Sequence, residues 1–206
     1  MNLIFSRYMH FRSPALGMMI AMVLIGTASC YPNKFYKNKD YSFYKADFSL
    51  PDTTSLRTDG VYILKSIWSQ NNGPQRTVQA DERMVLKFYS TGQVNLLLDT
   101  VDRAATEQFD YAGAFDSIID ASIQHGSRTL FQGYYKVQGD RLVVQQVNAA
   151  LQQFHYTYFL IGKDGLVKVS ATISGKGRTD DCHFPPYYRA YYTFTPVERA
   201  FATPNW

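Results

Sequence analysis

From Gly60 onward the chain is written in short β-prone runs separated by turn residues, and the apolar positions within the runs recur with period 2. The run Leu166 to Ile173 puts Val167, Val169, Ala171 and Ile173 on one side and Lys168, Ser170 and Thr172 on the other. In Arg141 to Val147, Leu142 and Val144 oppose Arg141 and Gln145. One apolar face per run predicts half-buried antiparallel strands, because parallel strands covered on both faces read as continuous apolar stretches. Eight such strands are expected: Gly60–Trp68, Arg83–Tyr89, Gln93–Leu98, Thr129–Val137, Arg141–Val147, Phe154–Ile161, Leu166–Ile173 and Arg189–Thr195. Hairpin turns are predicted at Ser90-Thr91-Gly92, Gln138-Gly139-Asp140 and Lys163-Asp164-Gly165. Helical spacing occurs over Asp110 to His125, where Phe115, Ile118, Ile119 and Ile123 share a face. That predicts one short helix within a long insertion, about Asp99 to Arg128, between the third and fourth strands.

Antiparallel strands joined mainly by hairpins gain by closing on themselves, since closure removes unpaired, aggregation-prone edges. The expected fold is therefore all-β, an eight-stranded antiparallel up-and-down barrel over residues 58–206 with one short helix in an insertion. The interior of such a barrel is either filled by side chains or holds one small ligand.

The first thirty residues follow a different pattern. Arg7, His10 and Arg12 precede a charge-free apolar run of 14 residues, Ala15 to Ala28, followed by Ser29 and Cys30. A spanning helix needs roughly 20 apolar residues. The run is instead the length of a signal h-region. Residues 1–29 are thus expected to be a signal peptide and residues 30–57 a membrane tether. The tether has no sustained period and interleaves Lys34, Lys37, Lys39 and Lys45 with Phe35, Tyr36, Tyr41, Phe43 and Tyr44. It reads either as a juxtamembrane segment or as a link whose aromatics pack on the adjacent domain. Asp40 and Asp47 dilute the four lysines and favour the second.

Thr27-Ala28-Ser29-Cys30 resembles the lipobox of Gram-negative lipoproteins, with Thr27 where leucine is usual. The resemblance implies cleavage before Cys30, acylation of its sulfur and new amino group with palmitate-class chains, and an outer-membrane address on the periplasmic or surface face. Three acyl chains would anchor the protein essentially permanently, since each buried methylene contributes about 0.8 kcal/mol.

Charge and cysteine content then exclude several classes. The formal net charge of +4 falls to +2 once Arg7 and Arg12 leave with the signal, and no basic stripe remains, so nucleic acid is not an expected partner. Of the two cysteines, acylation of Cys30 leaves Cys182 without a partner in the chain. It is then free to be a reactive thiol or to pair with another molecule. Stability must come from the core, for which a mature chain of this size suffices.

Candidate chemistry is sparse. Asp180-Asp181-Cys182-His183 is the densest polar cluster, but adjacent residues are expected to diverge, which makes it a solvated loop and not a metal site. No Gly-x-Ser-x-Gly, His-Glu-x-x-His or phosphate-binding loop occurs, and Ser174-Gly175-Lys176-Gly177-Arg178 leads into no helix. No catalytic residue, metal or cofactor is therefore expected. What remains is aromatic. Tyr156 and Tyr158 share one face of the sixth strand, Tyr192 and Phe194 one face of the eighth, and with Tyr62, Phe88 and Tyr135 they line an apolar cup or pack a solid core. If the barrel is hollow, the helical insertion is expected to lie across its mouth as a lid; if solid, to cover the outside of the sheet.

Several strand-edge motifs carry a second resemblance: Gly60-Val61-Tyr62, Phe88-Tyr89-Ser90-Thr91-Gly92, Gly133-Tyr134-Tyr135 with Gly139-Asp140-Arg141-Leu142, and Asp164-Gly165-Leu166. Over residues 58–198 the chain is similar to lipocalin-like β-barrel lipoproteins of the calycin group, with Tyr62 where lipocalins carry the Trp of Gly-x-Trp. The resemblance implies an up-and-down barrel and a small apolar ligand, and no catalytic residues. The functional expectation is a lipid-anchored, non-catalytic envelope protein, attached to the membrane through Cys30, that binds a small apolar ligand. The alternative is a structural lipoprotein with a solid barrel that engages an envelope protein.

Overall fold

The computed structural model describes residues 36–71, 73–98, 109–124, 132–148, 151 and 153–204. Cys30 and the signal lie outside them, and so does the side chain of Ile123. The strands are β1 (Gly60–Ser69), β2 (Arg76–Thr77), β3 (Met84–Phe88), β4 (Gln93–Leu98), β5 (Gln132–Gln138), β6 (Arg141–Asn148), β7 (Gln153–Ile161), β8 (Gly165–Thr172) and β9 (Tyr188–Pro196). Each long strand pairs antiparallel with the next, and β9 returns to β1 from Gly60↔Pro196 to Ser69↔Tyr188, so eight strands form a closed barrel. The two-residue β2 only extends the β1 ladder. Gly92 and Gly139, with φ of +87° and +60°, supply the left-handed turns of the β3–β4 and β5–β6 hairpins. Gly60 serves a different need, since a Cβ there would lie 2.2 Å from the Thr195 carbonyl oxygen.

Alternation sorts the side chains into an inner cluster and two outer ones. Inside lie Tyr62, Leu64, Leu86, Phe88, Val94, Tyr135, Leu142, Val144, Phe159, Leu166, Ala190 and Tyr192. The first outer cluster covers β5–β8, where Tyr36, Tyr41 and Phe43 pack on Tyr134, Val143, Tyr156, Tyr158 and Val169. The rings meet in edge or tilted contacts, Tyr41 on Tyr134 at 5.0 Å and Phe43 on Tyr156 at 5.8 Å. Gln145 on the same face accepts the Phe43 backbone N–H at 3.0 Å, so this segment is fixed by directional bonds as well as by area.

The single α-helix among the described residues, α1 (Tyr111–Gln124), makes the second outer cluster. Its Tyr111 and Phe115 pack on Val61, Ile63 and Val85, which face away from the lumen. The Asp110 carboxylate accepts the Gly113 N–H at its start, and Arg199 bridges Asp110 and Asp116 from the C-terminal segment. The helix thus takes the place expected of it with a solid barrel, on the outside of the sheet, and not that of a lid. The apolar stripe of α1 covers the outer wall because Val61, Ile63 and Val85 are apolar on that side and need cover.

A correction concerns β8. Bulges at Leu64/Ser66 and at Tyr158/Phe159 each insert one residue into the ladder. Val167 and Val169 pack in the outer cluster, while Lys168, paired with Phe159 and Ala190, faces the lumen. The apolar side of this strand is outermost because the 36–44 segment makes the outer face of β5–β8 a second interior.

Candidate functional site in the barrel lumen

The two ends of the barrel differ. At one end lie the β3–β4, β5–β6 and β7–β8 turns and the start of β1, and Phe48, Leu50 and Leu56 pack into the core there. Tyr62 holds this closure: its Oη accepts the Arg57 backbone N–H at 2.8 Å and donates to the Arg57 carbonyl at 3.2 Å. The Arg57 guanidinium lies 4.0 Å from the centre of the Phe194 ring. Aromatic edges fill the adjoining half of the lumen in a chain, Phe194 to Tyr62 at 5.1 Å, Tyr62 to Phe88 at 5.7 Å, Phe88 to Tyr135 at 5.2 Å and Tyr135 to Phe48 at 5.2 Å. Tyr135 Oη donates to the Tyr89 carbonyl at 2.7 Å. Burial pushes the Tyr62 phenol up to about 12 and raises those of Tyr135 and Tyr192, so all three are neutral donors at physiological pH.

Five of the seven residues expected to line a cup therefore lie inside: Tyr62, Phe88, Tyr135, Tyr192 and Phe194. Tyr156 and Tyr158 do not. The inward positions of β7 are His155, Thr157, Phe159 and Ile161, and both tyrosines point to the outer wall. They share a face as expected, but it is the face under the 36–44 segment. Tyr158 stacks on His183 with ring centres 4.6 Å apart and planes 12° apart, and burial pushes its phenol up to about 12.

Toward the other end the lumen changes character. Gln146 and His155 pair across β6 and β7, Thr157 pairs with Val144 and Ala171, and Lys168 faces in from β8. His155 Nδ1 is buried with no hydrogen-bond partner. Its pKa is lowered by burial and then by Lys168, and that of Lys168 is lowered by burial, with no carboxylate paired to either among the described residues. Buried polar atoms are rarely left unpaired in native folds. Four exposed apolar side chains, Leu98, Leu151, Ile173 and Tyr187, stand at the strand ends and loops of this same end. Sequence reasoning missed the luminal group, although His155 and Thr157 alternate with the tyrosines and Gln146 continues the inward series Leu142, Val144.

Two clefts lie on the outside. One of about 500 Å³ runs between residues 42–51 and β5, with Lys45, Lys136, Lys176 and Asp47 on its walls. The other, of about 330 Å³, surrounds Lys87, Asp59 and Phe201. The second is also lined by Tyr89, whose buried hydroxyl has no hydrogen-bond partner, whereas the first has no such atom on its walls. The chain matches no protein-family model, no curated protein and no solved structure. The fold defines the class, a closed eight-stranded antiparallel barrel compatible with a lipocalin-like architecture.

Proposed function

We propose that this protein is a lipid-anchored envelope protein that binds a small, mostly apolar ligand in the polar-lined half of its barrel lumen and performs no catalysis. The luminal group of Gln146, His155, Thr157 and Lys168 above an aromatic floor carries this reading. A ligand with an apolar body and one acceptor or anionic head would set the body against Tyr192, Leu96 and Met84 and offer the head to Lys168 and His155. That matches the usual composition of small-molecule sites, an apolar lining with a few placed polar groups. The anchor rests on the sequence before Cys30.

Native mass spectrometry of the full chain, purified in detergent, tests the reading. The expected result is a co-purifying small molecule released on unfolding, with binding of the neutral probe phenylnaphthylamine and tighter binding of anilinonaphthalene sulfonate. Lys168→Met should weaken the sulfonate more than the neutral probe. A ligand-free chain that binds neither probe overturns the proposal. The exposed apolar residues Leu98, Leu151, Ile173 and Tyr187 favour a second reading, a solid barrel docking an envelope protein, and a ligand-free chain would turn attention to them. For the anchor, palmitate labelling is expected in the parent and lost in Cys30→Ala; membrane retention of that variant would refute acylation.

A further inference from the structure

The turn between β8 and β9 holds a group of side chains that the ligand-binding reading does not use. Residues 181–183 form one 3₁₀ turn, entered by Asp180 in extended conformation and closed by His183 N–H to Asp180 O at 3.0 Å and Phe184 N–H to Asp181 O at 2.9 Å. Residues three apart in such a turn stack above one another. Asp181 turns away to the Arg141 guanidinium. The remaining three converge: one donor atom from each of Asp180, Cys182 and His183 lies within 4.8 Å of the others. The expectation that four consecutive residues must diverge is thus met by Asp181 alone.

The surroundings fix the imidazole. Tyr158 stacks on one side of it, and Ser170 Oγ donates to the His183 carbonyl at 2.5 Å. Gly175, at φ +82°, passes so close that a Cβ there would sit 2.9 Å from His183 Cε1 and Nε2. Tyr158 Oη lies 3.8 Å from that same point, is fully buried, and has no hydrogen-bond partner. An orphaned phenol beside three ligand-type atoms is a second, independent sign that a polar species belongs here.

We infer that Asp180, Cys182 and His183 form a three-residue site for a borderline-soft divalent cation of the zinc class, with its fourth position open to water that Tyr158 Oη can contact. Thiolate, imidazole and carboxylate together suit such a cation, and calcium or magnesium would demand more oxygens. Donors around a tetrahedral zinc stand about 3.5 Å apart, given bonds of roughly 2.0–2.3 Å. The exposed Asp180 and Cys182 side chains can close that gap by rotating, while His183 stays fixed. Arg178 occupies Asp180 Oδ2 at 2.9 Å and leaves the other carboxylate oxygen for the ion. Binding releases the thiol proton to solvent, so affinity rises with pH.

The test is titration of the reduced full chain with Co²⁺, followed by competition with Zn²⁺. One Co²⁺ per chain is expected, with a thiolate-to-cobalt charge-transfer band in the near ultraviolet and intense visible bands of tetrahedral geometry, both bleached by Zn²⁺. Cys182→Ser should abolish the charge-transfer band. His183→Ala and Asp180→Asn should each weaken binding by more than about tenfold. Asp181→Asn, which loses only the Arg141 contact, should leave affinity unchanged. Absence of the charge-transfer band, its survival in Cys182→Ser, or equal losses in Asp180→Asn and Asp181→Asn would overturn the site. Thermal unfolding of each variant separates a lost ligand from a lost fold.

Discussion

Lys87 offers a prediction whose size can be worked from the structure. It sits on the outer face of β3 with 2% of its surface exposed, donating from Nζ to the Thr58 carbonyl and lying 3.8 Å from the centre of the Phe201 ring. Burial lowers its pKa to about 8, against a small opposing attraction from Asp59. In the unfolded chain the value returns to about 10.4. Below about pH 8 both states hold the proton, and the folded state bears the full penalty of a buried charge. A shift of this size corresponds to about 3 kcal/mol at 1.36 kcal/mol per unit. As pH rises from about 8 toward 10 the folded state releases the proton first, the unfolded chain binds more protons, and stability rises. Above about 10 the sign reverses, because the raised phenols of Tyr62, Tyr135 and Tyr192 keep protons that the unfolded tyrosines lose. Urea unfolding followed by far-ultraviolet circular dichroism at about pH 7, 8.5 and 9.5 should show this rise. Lys87→Met trades one hydrogen bond and one cation–π contact, about 1–2 kcal/mol together, for removal of the charge penalty. It should be at least as stable as the parent near neutrality and should reduce the rise, leaving the share contributed by Lys168 and Lys136, which burial also lowers. A parent whose stability is level or falling over that interval, or a Lys87→Met variant whose rise is as steep as the parent's, would refute the reasoning.

Two further outcomes follow from the outer clusters. Phe43→Ala removes a buried ring from the β5–β8 cover and should cost about 3–4 kcal/mol, read as a lowered urea midpoint with unchanged slope; a loss within about 0.5 kcal/mol would mean the segment is only a link. Phe115→Ala, at a fully buried position of α1, should cost a similar amount and expose the apolar strip Val61, Ile63 and Val85, detected as increased dye binding and aggregation on mild heating; an unchanged midpoint would detach α1 from the barrel's stability.

The barrel was legible because its strands obey a simple period and its turns carry glycine where the backbone needs it. Seven of the eight long strands start within a residue of their expected position, and α1 begins and ends one residue inside the expected span. The direction each face takes was far less legible. Sequence alternation separates two sides of a strand but does not say which is the inside when both are covered. On β7 the tyrosine side looked like the ligand side because aromatic and continuous, yet Tyr36, Tyr41 and Phe43 had already claimed it. On β8 one bulged residue moved Lys168 from an expected outer position into the lumen. The convergence of Asp180, Cys182 and His183 was hidden for a different reason. It is set by the 3₁₀ turn over 181–183, which turns Asp181 toward Arg141, some forty residues earlier, and the other three donor atoms toward one another.

The seating of Tyr36 also bears on how far the barrel can roam from a bilayer. Tyr36 is buried against Phe154 at the outer wall, with ring centres 4.8 Å apart. Only six peptide units separate it from Cys30, and even drawn taut they reach roughly 20 Å at about 3.3–3.6 Å per residue. An acylated Cys30 would therefore work as a stub, where a segment unfurled as far as Arg57 would have made a leash several times longer. On the proposed anchor, a partner standing farther out in the compartment than that reach would have to come to the membrane to meet this protein.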